Sequence, residues 1–400
     1  MVKGPLLCFA ALAVVGVSAA QQQRHSHLSV AERKALIERA QVWRATDIPR
    51  MDLKTGPRGG FAPDASIKCE YVNKKLTGTT PKFACRLPDG REFKIKYGSG
   101  NGEVYAEVAA SRLLWALGFG ADAMYPVRVI CKRCPDTLGG VKRGDDEWLF
   151  ERAALERKMA GREVSDQWSW AELDQVDERA GGAPRAQRDA LKLLAVLLQH
   201  TDSKPVQQRI LCIEEHGHRC TLPLMMIDDL GMTFGAANMF NDAGIGSVNF
   251  AQWEKLSVWK DATRCVGNLS GSKTGTLKYP EISEEGRRFL AALLMQLSDQ
   301  QIATMFHVAH FDLRGHTPDE GEPIVGSIPQ WVSAFKAKRA EIVGRKCAAY
   351  APATTRASVF RSILPPLITS PAFFPASFDA YFLAAASGAA PAPSARLWVN

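Results

Sequence analysis

Apolar and polar positions alternate over Ile67–Val72 and Glu92–Tyr97, and with the short apolar run Lys82–Leu87 between them these segments predict three short strands. Asp89-Gly90 is a hairpin turn signal between the second and third. The period then lengthens. A helix is expected over Glu103–Leu117, capped by Asn101 and ended by Gly118-Phe-Gly120. Met124–Ile130 and Glu147–Glu156 read as further strands, the second running into a connector. Trp168–Leu173 opens a helical half. Gln187–Gln199 is apolar nearly all round and should be a central buried helix. Two short strands, Gln208–Cys212 and Leu222–Ile227, interrupt the helices, which resume at Ser283–Leu297, Ser298–His310 and Gln330–Val343. Ahead of all this, Ser29 and Glu32 form a capping box for a helix from Val30 to about Arg44. Residues 45–63 read as a linker or wrapping arm. A strand-rich half followed by a helix-rich half makes the fold class α+β.

The ends of the 400-residue chain follow other patterns. Lys3, the apolar run Leu6–Val17 and the small residues Ser18-Ala19-Ala20 before Gln21 are the parts of a cleaved signal peptide over 1–20. Cys8 lacks the small neighbours of a lipoprotein site. From Ala351 the chain is rich in Ala, Pro and Ser and reads as a disordered tail, and Pro365, Pro366, Pro371 and Pro375 break any membrane span there. The domains expected are the signal peptide at 1–20, a helix and linker at 21–60, a strand-rich unit at 61–156, a helical unit at 157–350 and the tail at 351–400. The net charge is +8, but Lys and Arg are scattered, so no nucleic-acid surface is read from them.

An exported chain with eight cysteines after the signal favours disulfides. The pairings expected are Cys69 with Cys85, Cys212 with Cys220, Cys265 with Cys347, and Cys131 with Cys134 unless these two pair elsewhere. The alternative is a zinc-stabilised domain using Cys131, Cys134, Cys212, His216, His218 and Cys220.

Five segments carry candidate chemistry. His200 to Gln207 reads His-Thr-Asp-Ser-Lys-Pro-Val-Gln and follows the buried helix. It resembles the catalytic loop of protein kinases. Asp229-Leu-Gly231 ends a short strand and resembles their DFG motif. Phe93-Lys-Ile-Lys96 resembles the strand that carries their phosphate-binding lysine. Glu107, within Ala106 to Ala110, sits in a run similar to the regulatory helix of secretory-pathway kinases. Gly78-Thr-Thr-Pro-Lys82 resembles the loop of HipA-type kinases.

The resemblance is to the atypical protein-kinase-like superfamily, with secretory-pathway, HipA-type and phosphatidylinositol-kinase-like members. It spans about residues 61–347 and implies a bilobal fold with one regulatory helix in the strand-rich lobe. It also implies roles. Lys96, paired with Glu107, would hold the phosphates of ATP, with Gly78 and Lys82 in the covering loop. Asp229 and Gln207 would hold Mg2+ or Mn2+. Asp202 would orient or deprotonate a hydroxyl-bearing acceptor, and Lys204 would neutralise the transferred phosphate. Gln207 stands where kinases place Asn, with Gln208 as a neighbouring substitute. No GxGxxG loop and no APE motif is present, and Phe234–Asn249, with Asn238, Asn241 and Asp242, is the candidate replacement for an activation segment. The function expected is an exported phosphotransferase. Its alternatives are an inactive exported binding module and the zinc-stabilised domain.

Overall fold

The computed structural model describes residues 28–98, 100–235, 250–270, 275–313 and 326–348. The signal peptide, the tail, and Asn238, Asn241 and Asp242 lie outside the described residues. The architecture is α+β.

Helix α1 (Val30–Glu38) carries the expected capping box, with Ser29 and Glu32 bonding reciprocally. It is shorter than the sequence pattern suggested. The chain leaves it at Arg39 because Gln41 and Trp43 turn extended and make bridges to Leu224 and Phe119. The tertiary pairing outweighs the local helical preference.

Strands β1 (Ala65–Val72), β2 (Lys82–Arg86) and β3 (Glu92–Tyr97) form an antiparallel meander. Helix α2 (Gly102–Leu117) follows, then β4 (Ala123–Lys132), the short β5 (Val141–Lys142) and β6 (Glu147–Arg157). β6 pairs with both β3 and β4, and β4 pairs in parallel with β1. The five long strands therefore close into a barrel, which removes the open sheet edge. Ile67, Phe83, Ile95, Val129 and Leu155 fill it, with Phe83, Tyr97 and Phe150 in mutual ring contact. Each such buried side chain is worth about 1.5–3 kcal/mol. The pleat then has a consequence for chemistry: with Ile95 inside, Lys94 and Lys96 must face outward.

One large apolar cluster builds the other half. β7 (Arg162–Ser165), β8 (Gln208–His216) and β9 (Arg219–Ile227) make a three-stranded sheet, with β8 and β9 longer than the sequence suggested. Short α3 (Trp170–Leu173) precedes α4 (Arg185–Leu198), which is buried from Asp189 to Leu198 as expected of a central helix. Then come α5 (Phe250–Lys255), the strand pair β10 (Trp259–Asp261) and β11 (Val266–Gly267), α6 (Glu284–Leu294), α7 (Asp299–Val308) and α8 (Ile328–Gly344). α6 approaches α4 closely because Gly286 has no side chain; a Cβ there would lie 2.4 Å from Asp189 Cβ. Phe234, Trp253, Phe306, Phe311 and Trp331 stack as one aromatic core behind it. Among the described residues no helix is long and apolar enough to cross a membrane.

α2 lies between the barrel and this helical half. Asn101 caps its start by accepting from Glu103 N at 3.1 Å, and Gly118, at φ +87°, ends it. The arm at 39–60 wraps its far end: Trp43 Nε1 donates to Leu117 O at 2.7 Å, Thr46 Oγ1 to Ala116 O at 2.5 Å, and Arg44 N to Gly118 O at 2.9 Å. These three carbonyls would otherwise be orphaned at a helix end.

All four expected disulfides are present. Cysteines held this way offer no thiolate, so the zinc reading of Cys131, Cys134, Cys212 and Cys220 with His216 and His218 is corrected. The Cys265–Cys347 bridge closes the longest loop, with a sequence separation of 82. Chain-entropy loss gives such a bridge roughly 4–5 kcal/mol. The double variant Cys265→Ala, Cys347→Ala is expected to unfold at markedly lower urea than the wild type, whereas losing the Cys131–Cys134 bridge, with a separation of 3, should cost far less. Equal urea midpoints for the two double variants would contradict this.

Candidate active site

The site forms where β3, α2 and the end of β9 meet. Lys96 is 1% exposed. Its Nζ donates to Glu107 on α2, lies 3.3 Å from Asp229 Oδ1 just beyond β9, and 4.0 Å from Glu103 Oε2. A buried ammonium would shed its proton without partners. Burial works in that direction, but Asp229 and Glu107 outweigh it, and the Lys96 amine is held well above its ordinary value. For Asp229, burial opposes ionisation, yet the Lys96 charge wins and its carboxyl lies far below the usual range. Burial pushes Glu107 well up, against the pull of Lys96. One cation thus stands among three carboxylates. Asp229 carries the negative charge most firmly and is partly open to the cleft, with its side chain 26% exposed.

The turn between β1 and β2 reaches over this group. Gly78 has φ +87°, and a Cβ on it would fall 2.8 Å from Lys82 Nζ. Lys82 stands opposite Lys96 in the β2–β3 register, and burial together with the Lys96 ammonium pulls its amine below the ordinary value. Thr80 Oγ1 donates to Glu103 in the same turn.

Asp202, Lys204 and Gln207 arrive from the loop after α4. Gln207 Nε2 donates to Asp202 Oδ2 at 2.8 Å, and Lys204 Nζ lies 3.0 Å from the same oxygen. Gln207 O in turn accepts from Asp228 N at 2.8 Å and Asp229 N at 3.3 Å. One residue therefore ties the Asp202 loop to the Asp229 turn. Asp229 Oδ1 accepts from Gly231 N at 3.0 Å, which fixes the carboxylate rotamer. Gly231 must lack a side chain, since a Cβ would lie 2.8 Å from Glu103 Oε2. Gln208 does not substitute for Gln207. Its fully buried amide, oriented to satisfy both partners, accepts from Trp170 Nε1 at 3.1 Å and donates to the Lys204 carbonyl.

His200 begins the loop and is fully buried, and neither ring nitrogen has a partner. Burial pulls it down to about 4 from 6.5. Between those values the unfolded chain binds a proton that the folded one refuses. Its share of stability is therefore complete above pH 6.5 and is lost as pH falls toward 4, by roughly 3 kcal/mol. His200→Phe is expected to flatten the stability profile over that interval in chemical denaturation; an unchanged slope would contradict it.

The chain is similar to two solved kinases. One is the Helicobacter pylori proinflammatory kinase CtkA, at 10% identity over 71% of this chain and 98% of that one, with a TM-score of 0.41. The other is a Golgi casein kinase solved with Mn and ADP bound, at 12% identity over 70% of this chain and 72% of that one, with a TM-score of 0.32. No family model and no curated protein matches the sequence.

Sequence reasoning passed over three features. Glu103 stands in the first turn of α2, where the helix dipole alone accounts for an acid, yet it is buried between Thr80, Lys96 and Gly231. Its spacing of four from Glu107 on one helix face was the available signal. Lys94 is no solvated strand residue; it pairs with buried Glu156 across β3–β6. Lys158 then bonds Glu156 at 2.9 Å, Asp122 at 2.7 Å and Asp228 at 2.7 Å, and Arg209 reaches Asp228 at 3.2 Å. This chain of charges pins the Asp228-Asp229 turn to β6 and to the connection after it. Its members are scattered over more than 130 residues, which hides it from any motif.

Proposed function

We propose that the protein is a kinase-like phosphotransferase of bilobal build, moving phosphate from ATP to a hydroxyl on an acceptor outside the cytoplasm. One observation carries the reading: Lys96 is held between Glu107 of α2 and Asp229 after β9, and the Gln207 carbonyl bonds that turn to the loop bearing Asp202. This is a cation positioned for phosphate oxygens beside a hard carboxylate and a hydroxyl-orienting carboxylate. The four disulfides fit an oxidising compartment.

Asp229 and Gln207 present carboxylate and amide oxygens, a donor set that suits Mg2+ or Mn2+. Such an ion would neutralise phosphate charge as it is transferred. The chain's own residues do the rest. Lys96 and Lys82 hold phosphate oxygens. Asp202 accepts the acceptor hydroxyl's proton as its oxygen bonds to the terminal phosphorus and the bond from that phosphorus to the ADP oxygen breaks. Lys204 steadies the charge on the moving group.

A second reading is favoured by one contact pattern. Asp202 Oδ2 is engaged by both Gln207 and Lys204, which leaves the would-be base tied down, as in a module that binds nucleotide without turnover. Transfer from γ-labelled ATP, scored against a panel of protein and glycan hydroxyl acceptors, separates the two. Active enzyme should lose about 10²–10⁴ of its rate in Asp202→Asn, with nucleotide affinity kept. Nucleotide binding with no transfer to any acceptor would favour the binding module.

A further inference from the structure

A cavity of about 440 Å³ opens behind α2, away from the cleft, between the arm at 50–58 and the connection after β6. Its volume falls in the range of small-molecule sites. Trp115, Phe119 and Met159 give it an apolar wall, while Arg50, Arg58 and Arg157 stand around it. Asp52 is the acid of the lining, and its carboxylate is occupied by Thr55 Oγ1 and by the Lys54 backbone N–H. Lys158 also lines it, but its ammonium is committed to Asp122, Glu156 and Asp228. Arg58 and Arg157 have no carboxylate partner among the described residues.

A second observation points the same way. Arg112, on α2, is fully buried with no carboxylate within ion-pair reach among the described residues, and its Nη2 has no hydrogen-bond partner. The guanidinium lies directly under Gly56, a residue of the cavity wall; a Cβ on Gly56 would be 3.5 Å from both Cζ and Nη2. Its other nitrogens donate to the Leu53, Val108 and Met124 carbonyls, which hold the guanidinium without cancelling its charge. A buried positive charge one residue behind the wall adds to the electropositive character of the cavity where dielectric screening is weak.

From this we infer a second binding site, for a small organic anion with an apolar body. A carboxylate, sulfonate or phosphate monoester would meet the arginines while its hydrocarbon covers Trp115 and Phe119. The ligand would act on α2. Ser111 and Trp115 line the cavity one and two turns beyond Glu107 on the same helix. A molecule seated there packs the helix from behind, toward Lys96. The site itself does not depend on the proposed phosphotransfer.

The probe is 8-anilinonaphthalene-1-sulfonate, an aromatic sulfonate whose fluorescence rises in apolar surroundings, titrated into the disulfide-intact protein. Saturable one-site binding is expected, displaced by dodecyl phosphate but not by inorganic phosphate. Arg58→Glu should weaken it by about tenfold or more, as loss of a charged hydrogen bond does. Thr55→Trp, which plugs the cavity from an exposed position, should abolish it. Both changes are at exposed positions, and unchanged thermal midpoints would show that the fold is intact. Bound dye should also slow amide exchange along α2. Non-saturable binding, or binding untouched by both variants, overturns the site, and saturable binding without added protection of α2 overturns its action on that helix. ADP with Mn2+ is titrated in parallel. Failure there alone counts against the phosphotransferase and leaves the dye site standing.

Discussion

Asp229→Asn should abolish the rise in melting temperature that ATP with Mn2+ gives the wild type, and should reduce phosphate transfer to background. Asparagine keeps the shape and one oxygen, so the bond from Gly231 N survives. It loses the charge and the hard oxygen pair that a divalent ion needs. A ligand at about 100 times its dissociation constant stabilises the native state by roughly 2.7 kcal/mol, and that whole increment is at stake. The variant itself should fold. Lys96 keeps Glu107 and stays within 4.0 Å of Glu103, so no buried charge is stranded. Thermal unfolding with and without nucleotide and metal reads both halves of the claim. A retained metal-dependent shift in Asp229→Asn would remove Asp229 from the site.

Lys96→Met should be the costliest single change in stability. It leaves Glu107, 2% exposed, and Glu103, 6% exposed, without the cation they face. Breaking a buried pair in this way costs about 3–5 kcal/mol. The pH dependence gives the mechanism away. The Glu107 carboxyl is already pushed up by burial, and without Lys96 it rises further. A carboxyl with a raised folded value holds a proton that the unfolded chain releases, so stability is regained as pH falls and lost as it climbs. Lys96→Met should therefore be least impaired in acid. Adding Glu107→Gln should restore part of the loss at neutral pH, and the double-mutant cycle should show coupling well above the few tenths expected of independent sites. Additive losses would show that the two residues do not act as a pair.

The candidate site was legible where chemistry and chain order coincide. Lys96 and Glu107 come from adjacent elements, Asp202 and Asp229 from segments whose residues carry their own signature, and the alternation through Ile95 sets which lysine faces are shared. The central helix and the disulfide pairs were readable too, from burial periodicity and from cysteine spacing around turns. What escaped was what long-range packing decides. Nothing local says that β4 pairs in parallel with β1 and closes a barrel, because that pairing joins residues about sixty apart. Nothing local stops α1 at Glu38; the bridge from Gln41 to Leu224 does. Glu103 is hidden for a similar reason. Its helix-terminal position accounts for an acid, and only the approach of Gly231 shows that it is enclosed.

The central claim is that nucleotide phosphates lie beside Lys96, between Glu107 and Asp229. An acyl-phosphate derivative of ATP tests it most directly, because it acylates a lysine amine next to the bound phosphates and leaves a mark that peptide mass spectrometry can place. Modification is expected at Lys96 or at Lys82 opposite it, dependent on Mn2+, suppressed by excess ATP and lost in Asp229→Asn. Labelling confined to surface lysines, or labelling that excess ATP does not reduce, would contradict it.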